Sequence, residues 1–349
     1  MPLTRVAAGF DRGILLAMRQ IWLSEGDPTT GARRDEQERT FAAYADGPLQ
    51  ADPHAFFPKP PAAEIERYRR VPLPGGWREK IRWKSGYQAW NPDYRDAYSA
   101  YEANDTAWAE WWRHKDGGRP TLIAVHSWAT SQAPIQEWVF SAWRMYLAGW
   151  DVVLPILPFH GRRTPRQAMF SGQLFPGTRP GRCNEAFGQA AWDIRGLMYA
   201  LRARGCGPIG VAGASLGGYT SAMLAGLEPE LAFCIPVIPM VSFGDILWTH
   251  GEGGPQRQRA EEQGITVERL REVFSPHSPL RWTPAIPKER ILIVAGRGDR
   301  VCPPEHIEWL WEHWDRPRIA WFSGGHVLHF GRRQIRHEVK DFLQGLQIL

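Results

Sequence analysis

A mixed α/β fold, with a mostly parallel central sheet flanked by helices, is predicted by two features of the chain. From about Thr121 onward, short runs of continuously apolar, β-rich residues alternate with segments of helical periodicity. Strands that are apolar at every position, and not only at alternate ones, are those covered on both faces, and helices between them supply the cover. A length of 349 residues is enough for one large domain with insertions.

The elements follow in order. Residues 1–70 read as an N-terminal helical extension and linker. Phe10, Ile14, Ala17 and Ile21 recur at helical spacing, Asp11 and Arg12 split the apolar stretch, and Phe57-Pro-Lys-Pro-Pro61 marks the linker. Such an amphipathic helix is expected to dock on its own domain. The main domain spans 71–349. Extended segments near 71–90 and 106–114 are expected to add antiparallel edge strands. Thr121–Val125 reads as a strand, Ile135–Leu147 as a helix, Trp150–Leu154 as a strand, Glu185–Arg204 as a helix, Ile209–Ala212 as a strand and Leu216–Leu227 as a helix. Leu231–Ile238 and Arg290–Ala295 are further strands, Pro304–Trp314 a helix, and Arg318–Phe322 and Arg333–Leu343 the last strand and helix. Between two of these strands lies 241–288, polar at Gly251-Glu-Gly-Gly-Pro255 and helical from Val267 to Phe274. An insertion there reads as a cap over the C-terminal edge of the sheet, where ligands bind in open α/β sheets.

Composition excludes several classes of function. The net charge is +5, but the 42 Lys and Arg are scattered and form no basic run interleaved with aromatics, so nucleic acid is not an expected partner. No stretch of about 18 uncharged apolar residues occurs, which excludes a spanning helix, although peripheral membrane contact stays open. Cys183, Cys206, Cys234 and Cys302 lack CxxC spacing and read as reduced structural thiols of a cytoplasmic protein. His, Cys, Asp and Glu nowhere cluster at metal-ligand spacing, so no metal or cofactor is expected. Trp is abundant at 18 residues, mostly for core and edge packing. Trp128, Trp138, Trp143 and Trp248 also flank the presumed site and suggest an apolar or aromatic group nearby.

The chemistry lies at three strand ends. The strand Ile209–Ala212 runs directly into Gly213-Ala-Ser215-Leu-Gly217, and a helix follows. A strand-to-helix turn of this kind holds a strained serine at its apex, and its flanking glycines allow close passage of neighbouring backbone. The strand ending at Ala295 leads into Gly296-Arg-Gly-Asp299, and the strand ending at Phe322 leads into Ser323-Gly-Gly-His326. Ser215, Asp299 and His326 therefore follow one another in the order of a nucleophile, an orienting acid and a base, each after a strand. Asp245 also follows a strand but reads as a cap residue, and His329 as the start of the last helix. Arg162 and His160 follow the second parallel strand, where they could meet a substrate anion or brace a loop.

With these motifs the chain resembles the α/β-hydrolase superfamily over residues 121–346 at least. The Gly-Pro-Ile-Gly-Val-Ala-Gly-Ala-Ser-Leu-Gly-Gly stretch, Leu157-Pro-Phe-His160-Gly-Arg-Arg163 and the terminal Gly-Gly-His look like the abhydrolase-domain 18 type. The resemblance implies a serine hydrolase acting on a carboxylic ester or thioester, esterase- or lipase-like, with a small-molecule or lipid ester as substrate. It further implies an oxyanion hole made by the backbone N–H groups of Leu216 and Trp128. The loop His126-Ser127-Trp128-Ala129 departs from the usual His-Gly pattern, because Ser127 stands at the glycine position. His126 is expected to shape this loop, with substrate contact by His126 or His160 as the alternative. An acyltransferase, a peptidase or a non-catalytic ligand-binding protein would share the fold. Oligomeric state is not readable.

Overall fold

The computed structural model describes residues 2–23 and 31–348. Two helices, α1 (Pro2–Leu23) and α2 (Gly31–Tyr44), come first. Strands β1 (Glu66–Leu73) and β2 (Gly76–Lys84), the short helix α3 (Arg95–Ser99) and strand β3 (Thr106–His114) follow. The alternating part then runs β4 (Thr121–Val125), α4 (Ala133–Val139), α5 (Ala142–Leu147), β5 (Asp151–Ile156), α6 (Pro180–Ala203), β6 (Ile209–Ala214), α7 (Leu216–Leu227) and β7 (Cys234–Val237). Three helices, α8 (Phe243–His250), α9 (Pro255–Glu262) and α10 (Val267–Val273), separate β7 from β8 (Leu292–Gly296). The chain closes with α11 (Pro304–His313), β9 (Arg318–Phe322) and α12 (Arg332–Gly345).

All nine strands form one sheet in the order β1-β2-β3-β5-β4-β6-β7-β8-β9. β1, β2 and β3 pair antiparallel, β3 joins β5 antiparallel, and every pairing from β5 to β9 is parallel. The continuous apolar runs have the expected cause. In β4, Ile123 and Val125 face a core shared with α2, α6, α7 and α11, while Leu122 and Ala124 face a second core closed by α5 and α12. Side chains alternate across a strand, so covering both faces demands an apolar residue at every position.

The antiparallel edge obeys different rules. β1 is exposed along nearly its whole length and rich in arginine, which protects an open edge from pairing with another chain. Much of the tryptophan is spent here under guanidinium groups: Arg70 lies over Trp77, Arg78 over Trp112, Arg82 over Trp108 and Arg113 over Trp111. β1 begins at Glu66, so the sheet extends upstream of residue 71.

Three local expectations change. The single helix over 135–147 is two helices, because Ser141 takes a left-handed conformation with φ 52° between them. The insertion holds two helices besides the expected one: α9 carries only polar and small residues after its proline and buries none of them, so it shows no apolar period to read. α1 does dock on the domain, but through another face. Ala7 and Asp11 are buried and Leu15 packs on the core, whereas Phe10 is 49% exposed. Ile14, Ala17 and Ile21 lie outside the residues whose side chains are described.

Candidate active site

Ser215 lies between the last residue of β6 and the first of α7, with φ 54° and ψ −111°. A non-glycine residue held there costs of order 1–3 kcal/mol, which the surrounding packing must sustain. That packing explains the glycines. A Cβ on Gly213 would collide with the carbonyl of Gly217, and a Cβ on Gly217 with the carbonyl of Val125 at the end of β4. The Ser215 amide donates to the carbonyl of Val237 at 2.9 Å, tying the turn to β7. Because Ser215 immediately precedes α7, the first N–H groups of that helix, beginning with Leu216, lack acceptors within the helix and carry the positive end of its dipole.

The loops after β8 and β9 bring Asp299 and His326 to this serine. His326 Nε2 is 2.8 Å from Ser215 Oγ, and His326 Nδ1 is 2.8 Å from Asp299 Oδ2. Asp299 is buried, and its other oxygen accepts from the amides of Val301 (2.9 Å) and Cys302 (2.8 Å). Oδ2 is thereby left for the imidazole. This pairing fixes the tautomer: Nδ1–H donates to the carboxylate, and Nε2 accepts the serine proton. Burial works to depress the His326 pKa, but the Asp299 charge, helped by Cys302 and by the hydrogen bonds to both, outweighs it and holds the imidazole well above its ordinary value. The Cys302 thiol beside it is pushed up to about 11 by burial and is neutral. His329 lies outside α12, and its Nε2–H donates to the carbonyl of His326 at 2.8 Å.

Sequence reasoning missed one participant. Asp11 of α1 is completely buried against these two loops, and its carboxylate accepts from the amides of Arg300 (3.1 Å), His326 (2.7 Å) and Val327 (3.2 Å). The available signal was the stripe Thr4, Ala7, Asp11 and Leu15 at helical spacing, small residues and one acid on a single face. The apolar residues of the neighbouring face concealed it.

Facing the elbow, the loop after β4 is braced by neutral groups. Ser127 Oγ donates to the carbonyl of Ala214 at 3.0 Å, the residue just before Ser215. The left-handed residue of the loop is Ala129 (φ 56°), so Ser127 at the glycine position meets no conformational demand for glycine. Trp128 is half-buried, with its indole N–H on the carbonyl of Gly172 at 2.7 Å.

His126 and His160 are packed inside the protein. His126 is buried and uses both ring nitrogens, Nδ1–H donating to the Ser127 carbonyl and Nε2 accepting from the Leu157 amide. Burial lowers it to about 4, which keeps it neutral. His160 is buried edge-on to it, donates from Nδ1 to the Pro158 carbonyl, and is likewise depressed by burial. Both brace the loops behind the site, because both rings are packed inside. Arg162 stacks on Trp108 at the antiparallel edge.

Asp245 is committed elsewhere: it bonds to Ser242 and pairs with Arg271 at 2.6 Å, joining α8 to α10. The insertion touches the site region through His250 at the end of α8, which bonds to the carbonyl of Val301 at 2.9 Å. Elsewhere it packs on the helical layer, where the Asn184 side chain of α6 donates to the carbonyl of Val273. Among the tryptophans thought to flank the site, Trp138 is 65% exposed under Arg332, Trp143 is also exposed, and Trp248 stacks on Arg257. Among the described residues, no group of three His, Cys, Asp or Glu side chains is gathered to hold a metal, and no helix is long and apolar enough to cross a membrane.

This sheet order, with a serine on the turn between a parallel strand and its helix, is the α/β-hydrolase fold. Acetyl xylan esterase 1 from Thermoanaerobacterium sp. JW/SL YS485 is similar over 86% of this chain and 99% of its own, with TM-score 0.57 and 16% identity. The acetyl xylan esterase from Paenibacillus sp. R4 is similar over 82% and 89%, with TM-score 0.58 and 16% identity. The chain belongs to the family of the uncharacterized protein Rv2627c of Mycobacterium tuberculosis (strain ATCC 25618 / H37Rv), to which it is 33% identical over 300 residues, 84% of this chain and 70% of the relative. The uncharacterized protein MT2702 of strain CDC 1551 / Oshkosh matches with the same figures. No protein-family model matches the chain.

Proposed function

We propose that this protein is a serine hydrolase that cleaves a carboxylic ester, with thioesters as a close variant, through an acyl-enzyme. One observation carries the reading: the strained Ser215 hydroxyl lies 2.8 Å from His326 Nε2, whose other nitrogen lies 2.8 Å from the buried Asp299. In this reading His326 takes the serine proton as Oγ attacks the carbonyl carbon, and Asp299 holds the ring and stabilises the imidazolium. The amides of Leu216 and Trp128 receive the developing oxyanion. His326 then passes its proton to the leaving alcohol, and water, deprotonated by the same imidazole, releases the acid. The sequence motifs around Ser215, His160 and His326 support placement in the abhydrolase-domain 18 type with a small-molecule or lipid ester as substrate, and the cysteine usage supports a cytoplasmic setting. We read 241–288 as the cap. The acetyl xylan esterases that share this fold are in keeping with the ester reading.

Two measurements test it together. A fluorophosphonate probe is expected to modify the folded wild-type protein stoichiometrically at Ser215, and p-nitrophenyl esters graded by chain length are expected to be hydrolysed. Ser215→Ala should fold normally and lose both, with kcat down by about 10⁶-fold. Resistance of the folded wild-type protein to the probe favours a non-catalytic ligand-binding protein, and retention of most hydrolysis by Ser215→Ala excludes the assignment.

A further inference from the structure

We infer that Asp11 is a positioning residue of this site, so that α1 completes the active centre and is not an appendage to it. The inference rests on the serine-hydrolase reading for its kinetic consequence, although its geometry stands apart from any activity. One carboxylate bonds to both loops at once, accepting from Arg300, next to the acid, and from His326 and Val327, the base and its neighbour. It is fully buried. Burying an ionised carboxylate is costly unless its lone pairs are met, and three amide donors meet them here. The loops are shaped to receive it. A Cβ on Gly325 would collide with the Asp11 carboxylate, and one on Gly298 would come within 2.7 Å of Thr4. The glycine before Asp299 and the glycine before His326 are thus the two places where α1 rests.

The mechanical consequence follows from the bonds. The backbone of His326 is held by Asp11 through its N–H and by His329 through its carbonyl. The ring must satisfy Ser215 and Asp299 together, so any freedom in this peptide is felt at both ring nitrogens. Without the Asp11 carboxylate the acid loop and the base loop lose their shared anchor, and the Asp299–His326–Ser215 alignment loosens.

The test compares Asp11→Ala and the isosteric Asp11→Asn in the full-length protein. Both are assayed for p-nitrophenyl ester hydrolysis, and the downfield imidazole proton that Nδ1–H of His326 shows by NMR against Asp299 is recorded. Asp11→Ala is expected to lower kcat about 100-fold, the effect of a misplacement of roughly 1 Å, with KM within about twofold. Its downfield proton should broaden or vanish, and its acid limb in kcat/KM should move to lower pH as the imidazole leaves the carboxylate. Asp11→Asn keeps one acceptor oxygen and should recover part of both signals. Wild-type kcat and an unchanged downfield proton in folded Asp11→Ala overturn the proposal. So does a loss confined to thermal stability, or both variants melting below assay temperature, since either result assigns Asp11 a purely structural role. If the wild-type protein hydrolyses no ester, the reading of function fails, and the imidazole proton still judges Asp11.

Discussion

The two sides of Ser215 are built from opposite electrostatic materials. On the side of the base, two buried carboxylates, Asp299 and Asp11, surround the His326 loop and meet it through the imidazole and the backbone amides. Across the elbow, the loop after β4 is fixed by a serine hydroxyl, an indole N–H and His126, which burial keeps neutral. The difference follows the charge that the proposed reaction creates. In that reaction an imidazolium forms beside the carboxylates, and the oxyanion forms toward the loop held by the Ser127 hydroxyl, the Trp128 indole and neutral His126. A carboxylate on the oxyanion side would oppose the transition state, whereas the same carboxylate beside His326 assists it.

Three further measurements probe that contrast. The largest effect belongs to Asp299→Asn, expected to lower kcat by about 10⁴-fold while leaving a folded protein. Because Asp299 holds the His326 pKa above its ordinary value, the residual activity should also keep its acid limb at lower pH than the wild type. A limb that stays in place would mean that Asp299 does not set the imidazole.

Next comes acid stability, where His126 and His326 should titrate with opposite sign. The folded-state pKa of His126 is depressed to about 4, so between 6.5 and 4 the unfolded chain binds a proton that the folded chain refuses, and stability is lost as pH falls through that window. The loss from His126 alone amounts to about 3 kcal/mol over the whole window. His326 is raised; its contribution is fully present below the ordinary imidazole value and is lost as pH rises through its folded value. Denaturant melts from pH 7.5 to 4.5 check this, with His126→Gln expected to flatten the acid slope. An unchanged slope would show that the ring does not stay neutral on acidification.

The smallest effect is expected from Ser127→Gly, which removes the hydroxyl bond to Ala214 beside the nucleophile. A single neutral hydrogen bond of about 1 kcal/mol corresponds to roughly a fivefold fall in kcat. An equal or greater rate would assign the hydroxyl no part in holding the oxyanion loop.

The three strand-end residues of the site were legible in the sequence, the contrast around them was not, and the limits have physical causes. Ser215, Asp299 and His326 each lie on the turn or loop that follows a parallel strand, and a parallel sheet carries all such ends to one edge, so order along the chain translates into proximity. Ser127 was legible as a departure but not in its consequence, because the left-handed residue of the loop is Ala129. Asp11 was read only as a break in an apolar stretch. Its worth depends on two loops distant in sequence: the stripe Thr4, Ala7, Asp11 and Leu15 marks a docking face, but not the loops that it docks on. The same holds for α9, whose exposed residues carry no pattern, and for Ser141, whose left-handed backbone no residue type announced.

The bond between Asp11 and the His326 amide spans 315 positions of the chain. During synthesis at about 5 to 20 residues per second, α1 exists for tens of seconds before its dock is made. Asp299, His326 and Asp11 can meet only after all nine strands of the sheet have been synthesised. Ser215, Asp299 and His326 are therefore brought together with α1 only when the distant ends of the chain meet.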